Sequence, residues 1–213
     1  MIYSKINGSG SYLPKKILTN KDLELSLDTT DDWIRSRTGI LQRHIAGKDE
    51  RTSDLAYEAS LEAIKSSSIN KDAIDLIIVA TTTPDKIFPS TACNVQAKLK
   101  INCPAFDLQA VCTGFVYALS VADKFIKTNC ADNILIIGAD RMSSITDYTD
   151  RSNAILWGDG AGAVILSASK EPGILSTHLH AAGQHENLLH VPNNKNKDKN
   201  FDTIEMQGNQ VFK

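Results

Sequence analysis

The sequence lacks an excess of charge and long apolar runs, two features that would place it in a special class of protein. Positive and negative residues nearly balance, since 23 Lys and Arg residues and 25 Asp and Glu residues give a net charge of −2. A strongly basic nucleic-acid-binding protein is therefore excluded, and we expect no nucleic acid partner. The longest apolar runs, Leu76 to Ala80 and Ile134 to Ile137, are far shorter than the ~20 residues of a membrane-spanning helix. We therefore expect no membrane partner.

Cysteines and export signals are also scarce. The four cysteines, at positions 93, 103, 112 and 130, have neither the density nor the C-x-x-C spacing of a disulfide or zinc framework. We expect free thiols, no metal and a cytoplasmic location. The N-terminus offers no charged segment followed by a long apolar segment, so no export signal is predicted.

The sequence does contain the composition of an ordinary globular protein. Hydrophobic residues make up 42% and charged residues 23% of the 213 residues, with 12 Gly and 6 Pro. This excludes a disordered, collagen-like or low-complexity chain. The length allows one large domain or two small ones.

From about residue 50 onward, helical and strand patterns alternate along the chain. Apolar residues at spacings of three and four predict helices that begin near Thr52, Ser90 and Phe115. Continuous apolar runs predict strands at 75–80, 105–108, 133–138 and 163–166. Unbroken strands separated by helices indicate an α/β protein with a largely parallel sheet that is covered on both faces. The Asn- and Lys-rich segment 193–200 predicts an exposed loop.

Cys112 is the candidate nucleophile among the four cysteines. It follows a short predicted strand and stands at the start of the helix predicted around Phe115. Unpaired N–H groups and the positive end of the helix dipole favour a thiolate there, whereas Cys130 lies at the opposite end of that helix. A cysteine is more often a small buried hydrophobic residue, so position alone also allows a structural role. The other three cysteines are interpreted as structural.

Two other groups of residues look like a phosphate-binding loop and a metal site. The residues around them do not support either site. The run Gly158-Asp-Gly-Ala-Gly162 precedes a strand rather than a helix, so we interpret it as a tight turn with close backbone packing and not as a phosphate-binding loop. His178 and His180 would share one face of a strand. No carboxylate or Cys completes a metal site at ligand spacing, so surface histidines are the preferred interpretation.

An aromatic residue and two arginines stand together on a short helix predicted to be capped near Thr30. Trp33 with Arg35 and Arg37 suits an adenine stacked on the ring and a phosphate held by a guanidinium group. An amphipathic surface helix explains the same residues almost as well. Position alone leaves both interpretations open.

Several sequence motifs point to one enzyme family when they are taken together. The motifs are Gly8-Ser-Gly-Ser-Tyr-Leu-Pro14, Asp32-Trp-Ile-Arg-Ser-Arg-Thr-Gly39, Phe88-Pro-Ser90, Cys103-Pro-Ala-Phe-Asp107, Cys112-Thr-Gly-Phe115, Trp157-Gly-Asp-Gly-Ala-Gly162 and Gly208-Asn-Gln-Val-Phe212. In this order they resemble the β-ketoacyl-[acyl-carrier-protein] synthases III, and the resemblance runs over the whole chain.

The resemblance implies the thiolase-like fold, in which two similar α/β halves form a five-layer αβαβα sandwich. Residues 1–170 would form the N-terminal half with the nucleophile, and residues 171–213 would begin the C-terminal half. The family works as homodimers and opens type II fatty acid synthesis. It condenses the acyl group of acetyl-CoA with malonyl-acyl carrier protein to give acetoacetyl-acyl carrier protein, CoA and CO2. The implied partners are acyl carrier protein and acetyl-CoA, the latter a substrate, with no cofactor.

The resemblance also assigns roles to individual residues. Cys112 would be the catalytic, acyl-accepting nucleophile, with its own N–H as one oxyanion donor. The CoA adenine would be bound by Thr29, Trp33, Arg37 and Arg151, and the pantetheine tunnel would be lined by Met206, Gly208, Asn209 and Phe212. Ile155, Leu156 and Trp157 would line the acyl pocket, to which a second copy of the chain would lend Phe88.

The sequence departs from the family pattern at two positions and lacks two motifs. Ser152 stands where Gly is common and Trp157 where Phe is common; the larger Trp side chain predicts a small acyl group such as acetyl. The family's His-Gln-Ala-Asn and Gly-Asn-Thr-Ser type motifs, which promote decarboxylation, do not occur in these residues. We therefore expect a truncated chain that cannot complete condensation by itself. A related synthase of quinolone or polyketide type and a non-catalytic fragment remain as alternatives.

Overall fold

The structure, a computed structural model, describes residues 2–193 and 202–211. Its helices are α1 (Asn20–Glu24), α2 (Asp31–Thr38), α3 (Thr52–Ser67), α4 (Thr91–Leu99), α5 (Gly114–Lys127), α6 (Arg151–Ala154) and α7 (Gly208–Val211). Its strands are β1 (Tyr3–Tyr12), β2 (Lys16–Thr19), β3 (Gln42–Ile45), β4 (Leu76–Ala80), β5 (Ala105–Leu108), β6 (Asn133–Arg141), β7 (Asp159–Ser169), β8 (Leu189–His190) and β9 (Glu205–Met206). Most of the loop predicted at 193–200 lies outside the described residues.

The chain divides into two compact units, each assembled from separate stretches of sequence. Unit 1 comprises Met1–Leu13, Lys48–Asp140 and Gly160–Leu179, and unit 2 comprises Pro14–Gly47, Arg141–Asp159 and His180–Lys213. The division into halves at residue 170 follows the order of the chain and stays a prediction.

Unit 1 is built on a five-stranded sheet with the strand order β1-β7-β6-β4-β5. Strand β4 pairs in parallel with both β5 and β6, which agrees with the predicted parallel sheet. The long first strand, β1, was not predicted, and it pairs antiparallel with β7.

Alternate residues of β4 explain how both faces of this sheet are covered. Ile77 and Val79 belong to a buried cluster with residues of α3 and α4, whereas Leu76 and Ile78 belong to a cluster with residues of α5. Because successive side chains of a strand point to opposite faces, an unbroken apolar strand needs helices on both sides. Helices, sheet and helix thus form three layers in unit 1.

The starts of the helices follow the predictions. Ser90 caps α4, since its side chain accepts a hydrogen bond from the Cys93 N–H at 3.2 Å. Thr52 is the first residue of α3, and its hydroxyl donates to the Thr83 carbonyl at 2.6 Å. The hydroxyl therefore joins α3 to the segment after β4.

The glycine-rich run 158–162 is not the predicted tight turn. Residues 159–162 are the first part of strand β7, where they pair with β1. Close packing is present at Gly160, where a Cβ atom would lie 3.0 Å from Leu13 Cδ2, but a Cβ atom at Gly162 would meet nothing within 4 Å. Strand pairing with β1, a partner distant in sequence, overrides the local preference of glycine for turns.

The histidine prediction also needs correction. His178 and His180 lie in a segment without strand structure, so they do not share the face of a strand. Within residues 2–193 and 202–211, no group of three or more His, Cys, Asp or Glu side chains is placed to hold a metal ion. In the same residues, no helix is both long and apolar enough to cross a membrane.

The described part of unit 2 contains two small sheets and four short α-helices. Strands β2 and β3 pair antiparallel, as do β8 and β9. Leu23, Ile34 and Ile155 are buried together, and Trp33 and Leu156 pack against them. Helix α2 begins after Thr30, whose hydroxyl accepts the Trp33 N–H at 3.1 Å, as predicted.

The close approach of β1 to α3 generates a testable prediction. A Cβ atom at Gly10 would lie 2.4 Å from the Ala63 backbone nitrogen. We expect Gly10→Ala to lower the free energy of unfolding by about 1–3 kcal/mol because the helix must shift, with roughly 2–4 °C in Tm per kcal/mol. Thermal unfolding measures this loss, and Gly162→Ala is the control because it has open space. Equal Tm values for the two variants would contradict the prediction.

Candidate active site

Cys112 lies in a one-turn 3-10 segment, Val111–Thr113, between β5 and α5. The sequence placed it at the start of the helix; the structure places it two residues before Gly114, the first residue of α5. The turn is closed by Thr113, whose N–H and hydroxyl donate to the Ala110 carbonyl at 3.2 and 2.9 Å. Cys112 is exposed and is a free cysteine, so a reactant can approach its thiol.

Two close contacts hold α5 against the ends of neighbouring strands. A Cβ atom at Gly114 would lie 3.3 Å from Ala80 Cβ, and one at Gly138 would lie 3.3 Å from the Phe115 ring. On the other side of the turn, the Thr81 N–H donates to the Leu108 carbonyl at 3.2 Å. The end of β4 therefore contacts the chain both before and after Cys112.

One carboxylate oxygen organises the segment that follows β4. Asp140 Oδ1 accepts hydrogen bonds from the hydroxyls of Thr81, Thr82 and Thr83 at 3.1, 3.0 and 2.9 Å. It also accepts the N–H groups of Thr82 and Thr83 at 2.8 and 3.2 Å. Bonds to an ionised acceptor are stronger than those between neutral groups, so Asp140 fixes the three threonines. Sequence reasoning missed this residue, although three consecutive threonines after a buried strand are a visible signal.

The other cysteines lie in different settings. Cys93 is half-buried within α4, and Cys130 is exposed beyond the end of α5. Burial raises the pKa of the Cys103 thiol, and negative Asp75 raises it further. A raised pKa makes Cys103 a poor nucleophile at neutral pH.

Phe88 lies in the connection between β4 and α4. It is 82% exposed, and the neighbouring Ile87 is 93% exposed. The base of this connection is fixed by Asp85, which accepts the Ser53 N–H at 3.0 Å and an Asn94 amide N–H at 3.2 Å. Two large apolar side chains are thus presented to the surroundings on a fixed base.

In unit 2, the structure brings together the aromatic ring and the arginines that the sequence assigned to adenine binding. The Arg37 guanidinium carbon lies 5.7 Å and that of Arg151 5.0 Å from the centre of the Trp33 ring. Arg151 also donates to the Asp28 carbonyl at 2.9 Å. Thr29 Oγ1 is buried and has no hydrogen-bond partner in the described part of the chain. An aromatic face, two cations and a hydroxyl suit a nucleotide.

The residues expected to line the acyl pocket differ in exposure. Ile155 is 5% exposed, and Leu156 packs against the cluster to which Ile155 belongs. The Trp157 indole N–H donates to Asn153 Oδ1 at 3.4 Å, and Asn153 is buried. The Trp157 side chain is therefore anchored by a residue one helical turn earlier.

A buried arginine supports this region and was not recognised in the sequence. Arg43 on β3 is 3% exposed; its guanidinium group donates to the Ile155 carbonyl and, at 2.5 Å, to Asn20 Oδ1. Burial lowers the pKa of Arg43, and the nearby Tyr148 opposes that shift. Arg43 lies on a short strand, and nothing in the neighbouring sequence shows whether its side chain is buried or exposed.

The remaining predicted residues lie near the end of the described chain. Met206 is on β9, paired with Leu189 of β8, and Gly208 and Asn209 begin α7. The Gln207 N–H donates to the Leu188 carbonyl at 2.8 Å. Phe212 lies outside the described residues.

Comparison with known proteins identifies close relatives. The family model for 3-oxoacyl-[acyl-carrier-protein] synthase III matches residues 106–183. The β-ketoacyl-[acyl-carrier-protein] synthase III of Thiobacillus denitrificans is 57% identical to this chain. The match covers all of this chain and 68% of the relative's length. That of Thioalkalivibrio sulfidiphilus is 56% identical over the same shares. This chain thus spans about two thirds of the length of these relatives.

Solved structures agree with this result. The 3-oxoacyl-[acyl-carrier-protein] synthase III of Aquifex aeolicus is 48% identical, with a TM-score of 0.91 over 98% of this chain and 66% of its own. The priming β-ketosynthase of the R1128 polyketide pathway is 31% identical, with a TM-score of 0.94 over 99% of this chain and 65% of its own. Fold and thiol together define an α/β protein of the thiolase-like class. Within that class, the chain belongs to the β-ketoacyl-[acyl-carrier-protein] synthase III family.

The cluster around Asp140 generates the second prediction. We expect Asp140→Ala to lower the free energy of unfolding by about 2 kcal/mol or more, because the hydroxyl of buried Thr81 and the Thr82 N–H lose their acceptor. Asp140→Asn keeps one acceptor oxygen and should lose less. Thermal unfolding and amide hydrogen exchange at Thr82 and Thr83 measure the effect. Unchanged exchange at both amides in the Ala variant would contradict the role given to Asp140.

Proposed function

We propose that this chain carries the acyl-accepting part of an initiating condensing enzyme of type II fatty acid synthesis, an acyltransferase. The names of the relatives support the reaction class. The observation that carries the proposal is the exposed thiol of Cys112, held in a closed turn between the end of a parallel strand and a central helix. That position is open to a substrate, and its backbone is fixed on both sides.

In the first step, Cys112 Sγ attacks the thioester carbonyl carbon of acetyl-CoA. The carbon–sulfur bond to CoA breaks, CoA leaves as its thiol with the proton from Cys112, and an acetyl thioester remains on Cys112. The backbone N–H of Cys112 is one proposed donor to the oxyanion of the tetrahedral intermediate. This step needs no cofactor, because the acyl donor is itself a substrate.

In the second step, malonyl-acyl carrier protein loses CO2, and the resulting carbanion attacks the acetyl thioester on Cys112. The carbon–sulfur bond to Cys112 breaks, acetoacetyl-acyl carrier protein forms, and the Cys112 thiolate takes up a proton from solvent. The family's His and Asn motifs for decarboxylation do not occur in these residues. We therefore assign only the first step to this chain.

The CoA adenine would be bound by residues of unit 2. The adenine would stack on Trp33 in place of one of the two guanidinium groups that lie over it, and the displaced arginine would face the phosphates. Thr29 would supply a hydroxyl. Met206, Gly208, Asn209 and Phe212 would line the pantetheine tunnel, as in the family.

The same proposal assigns residues to the acyl pocket and names the partner proteins. Ile155, Leu156 and Trp157 would line the pocket, and the bulk of Trp157 favours acetyl. The exposed Phe88 suits a contact with a second copy of the chain in a homodimer. The protein would act in the cytoplasm with acyl carrier protein.

A priming synthase of polyketide type is the second candidate. It is favoured by the TM-score of 0.94 to the R1128 enzyme, although the identity to that enzyme is lower than to the fatty acid synthases. Relative acylation rates with acetyl-CoA and with longer acyl-CoA substrates separate the two candidates.

The nucleophile assignment is tested by intact mass after incubation with acetyl-CoA. We expect the 213-residue chain to gain one acetyl group and Cys112→Ser to gain none. Cys130→Ser is the matched control, because Cys130 is also an exposed cysteine, and it should gain the group as the parent does. An acetyl adduct that persists in Cys112→Ser would remove Cys112 from its role.

Adenine binding is tested by calorimetry with CoA and with pantetheine, which has no adenine. Stacking of a base on an aromatic ring contributes roughly 1–3 kcal/mol, so Trp33→Ala should raise the Kd for CoA about 5- to 150-fold. The Kd for pantetheine should stay unchanged. If both ligands lost affinity equally, Trp33 would not act on the adenine.

A further inference from the structure

The residue immediately before the thiol has an unusual backbone. Four described residues other than glycine have a positive φ: Ser68, Lys100, Val111 and Asn129. Ser68 and Lys100 directly follow α3 and α4, where a left-handed residue is the usual helix end. Asn129 follows α5, and asparagine tolerates this conformation. Val111, with φ of +48°, is β-branched and precedes a helix.

Burial does not compensate for this conformation. A left-handed backbone brings Cβ close to the following carbonyl oxygen, and a branched side chain makes the crowding worse. The Val111 side chain is 58% exposed, so it gains little from apolar contacts in this chain. The left-handed turn must therefore be imposed by the residues on either side.

Contacts on both sides fix the ends of the segment that contains Val111. Leu108 is fixed by the Thr81 N–H at 3.2 Å, and Gly114 is seated against Ala80. Five residues must join these two points. Thr113 closes the turn on the Ala110 carbonyl, and Val111, inside that turn, takes the positive φ.

We propose that Val111 is a positioning residue that acts through Cys112. Its left-handed conformation sets the direction in which the Cys112 thiol and backbone N–H leave the turn. Its branched side chain limits the alternative conformations of that turn. This inference rests on the proposed function, in which Cys112 accepts the acyl group. Residues at functional sites commonly keep such conformations when the surrounding structure holds them.

The test compares Val111→Gly with Lys100→Gly. Both variants place glycine at a left-handed position of unit 1, where it removes the steric crowding, but only Val111 adjoins the thiol. The measurements are Tm and the second-order rate constant for acetylation by acetyl-CoA, normalised to folded protein. We expect Val111→Gly to keep or raise Tm and to acetylate at least fivefold more slowly, because the turn gains freedom. Lys100→Gly should keep the parent rate.

A second variant, Val111→Ala, keeps Cβ and loses only the branching, so its rate should lie between those of the parent and Val111→Gly. A rate within twofold of the parent in Val111→Gly would overturn the proposal, as would an equal loss in Lys100→Gly. A Tm for Val111→Gly several degrees below that of Lys100→Gly would overturn the argument from crowding.

The failure of this proposal can be distinguished from failure of the proposed function. If the parent gains no acetyl group from acetyl-CoA, the proposed function fails. Alkylation of Cys112 by iodoacetamide then still reports on the turn. A fivefold slower alkylation in Val111→Gly would support the positioning role, and an unchanged rate would overturn it.

Discussion

The bonds between Asp140 and the three threonines after β4 are the interaction on which the candidate site depends. They fix Thr81, whose backbone N–H continues the pairing of β4 with β5 as far as Leu108. They also fix the strand end that carries Ala80, against which Gly114 is seated. Because parallel strands end at one edge of a sheet, a single carboxylate at the end of β6 can organise the connections from its neighbours. The exposed thiol is thus supported by hydrogen bonds that it does not make itself.

The sequence predicts most of unit 1 because its strands and helices are specified locally. The unbroken apolar run of β4 requires cover on both faces, and the apolar stripes of α3 and α5 supply that cover. Cys112 can be named as the candidate among four cysteines because the end of a strand and the start of a helix are both visible in the residues around it, and its role stays a prediction. The grouping of Trp33 with Arg37 is equally local, since the two residues are one helical turn apart.

The features that sequence reasoning missed depend on partners distant in the chain. The run of glycines at 158–162 is strand because β1, about 150 residues earlier, pairs with it. Arg43 is buried because its acceptors come from Asn20 and Ile155, on two other elements. The left-handed backbone of Val111 cannot be predicted from the sequence, because valine favours a negative φ. The positive φ depends on the fixed ends of the turn. In each case a tertiary contact overrides a local preference.

The departure from the family pattern at Ser152 has a local physical explanation. Asp150 caps the short helix α6, and it accepts both the backbone N–H and the hydroxyl of Ser152, at 2.8 and 2.7 Å. Glycine would offer only the first of these bonds and would leave the backbone freer. Serine therefore stiffens the turn that carries Arg151, whose guanidinium group lies over Trp33 and donates to the Asp28 carbonyl. The substitution is therefore compatible with Arg151 lying over Trp33, because the added hydroxyl bonds to the existing cap.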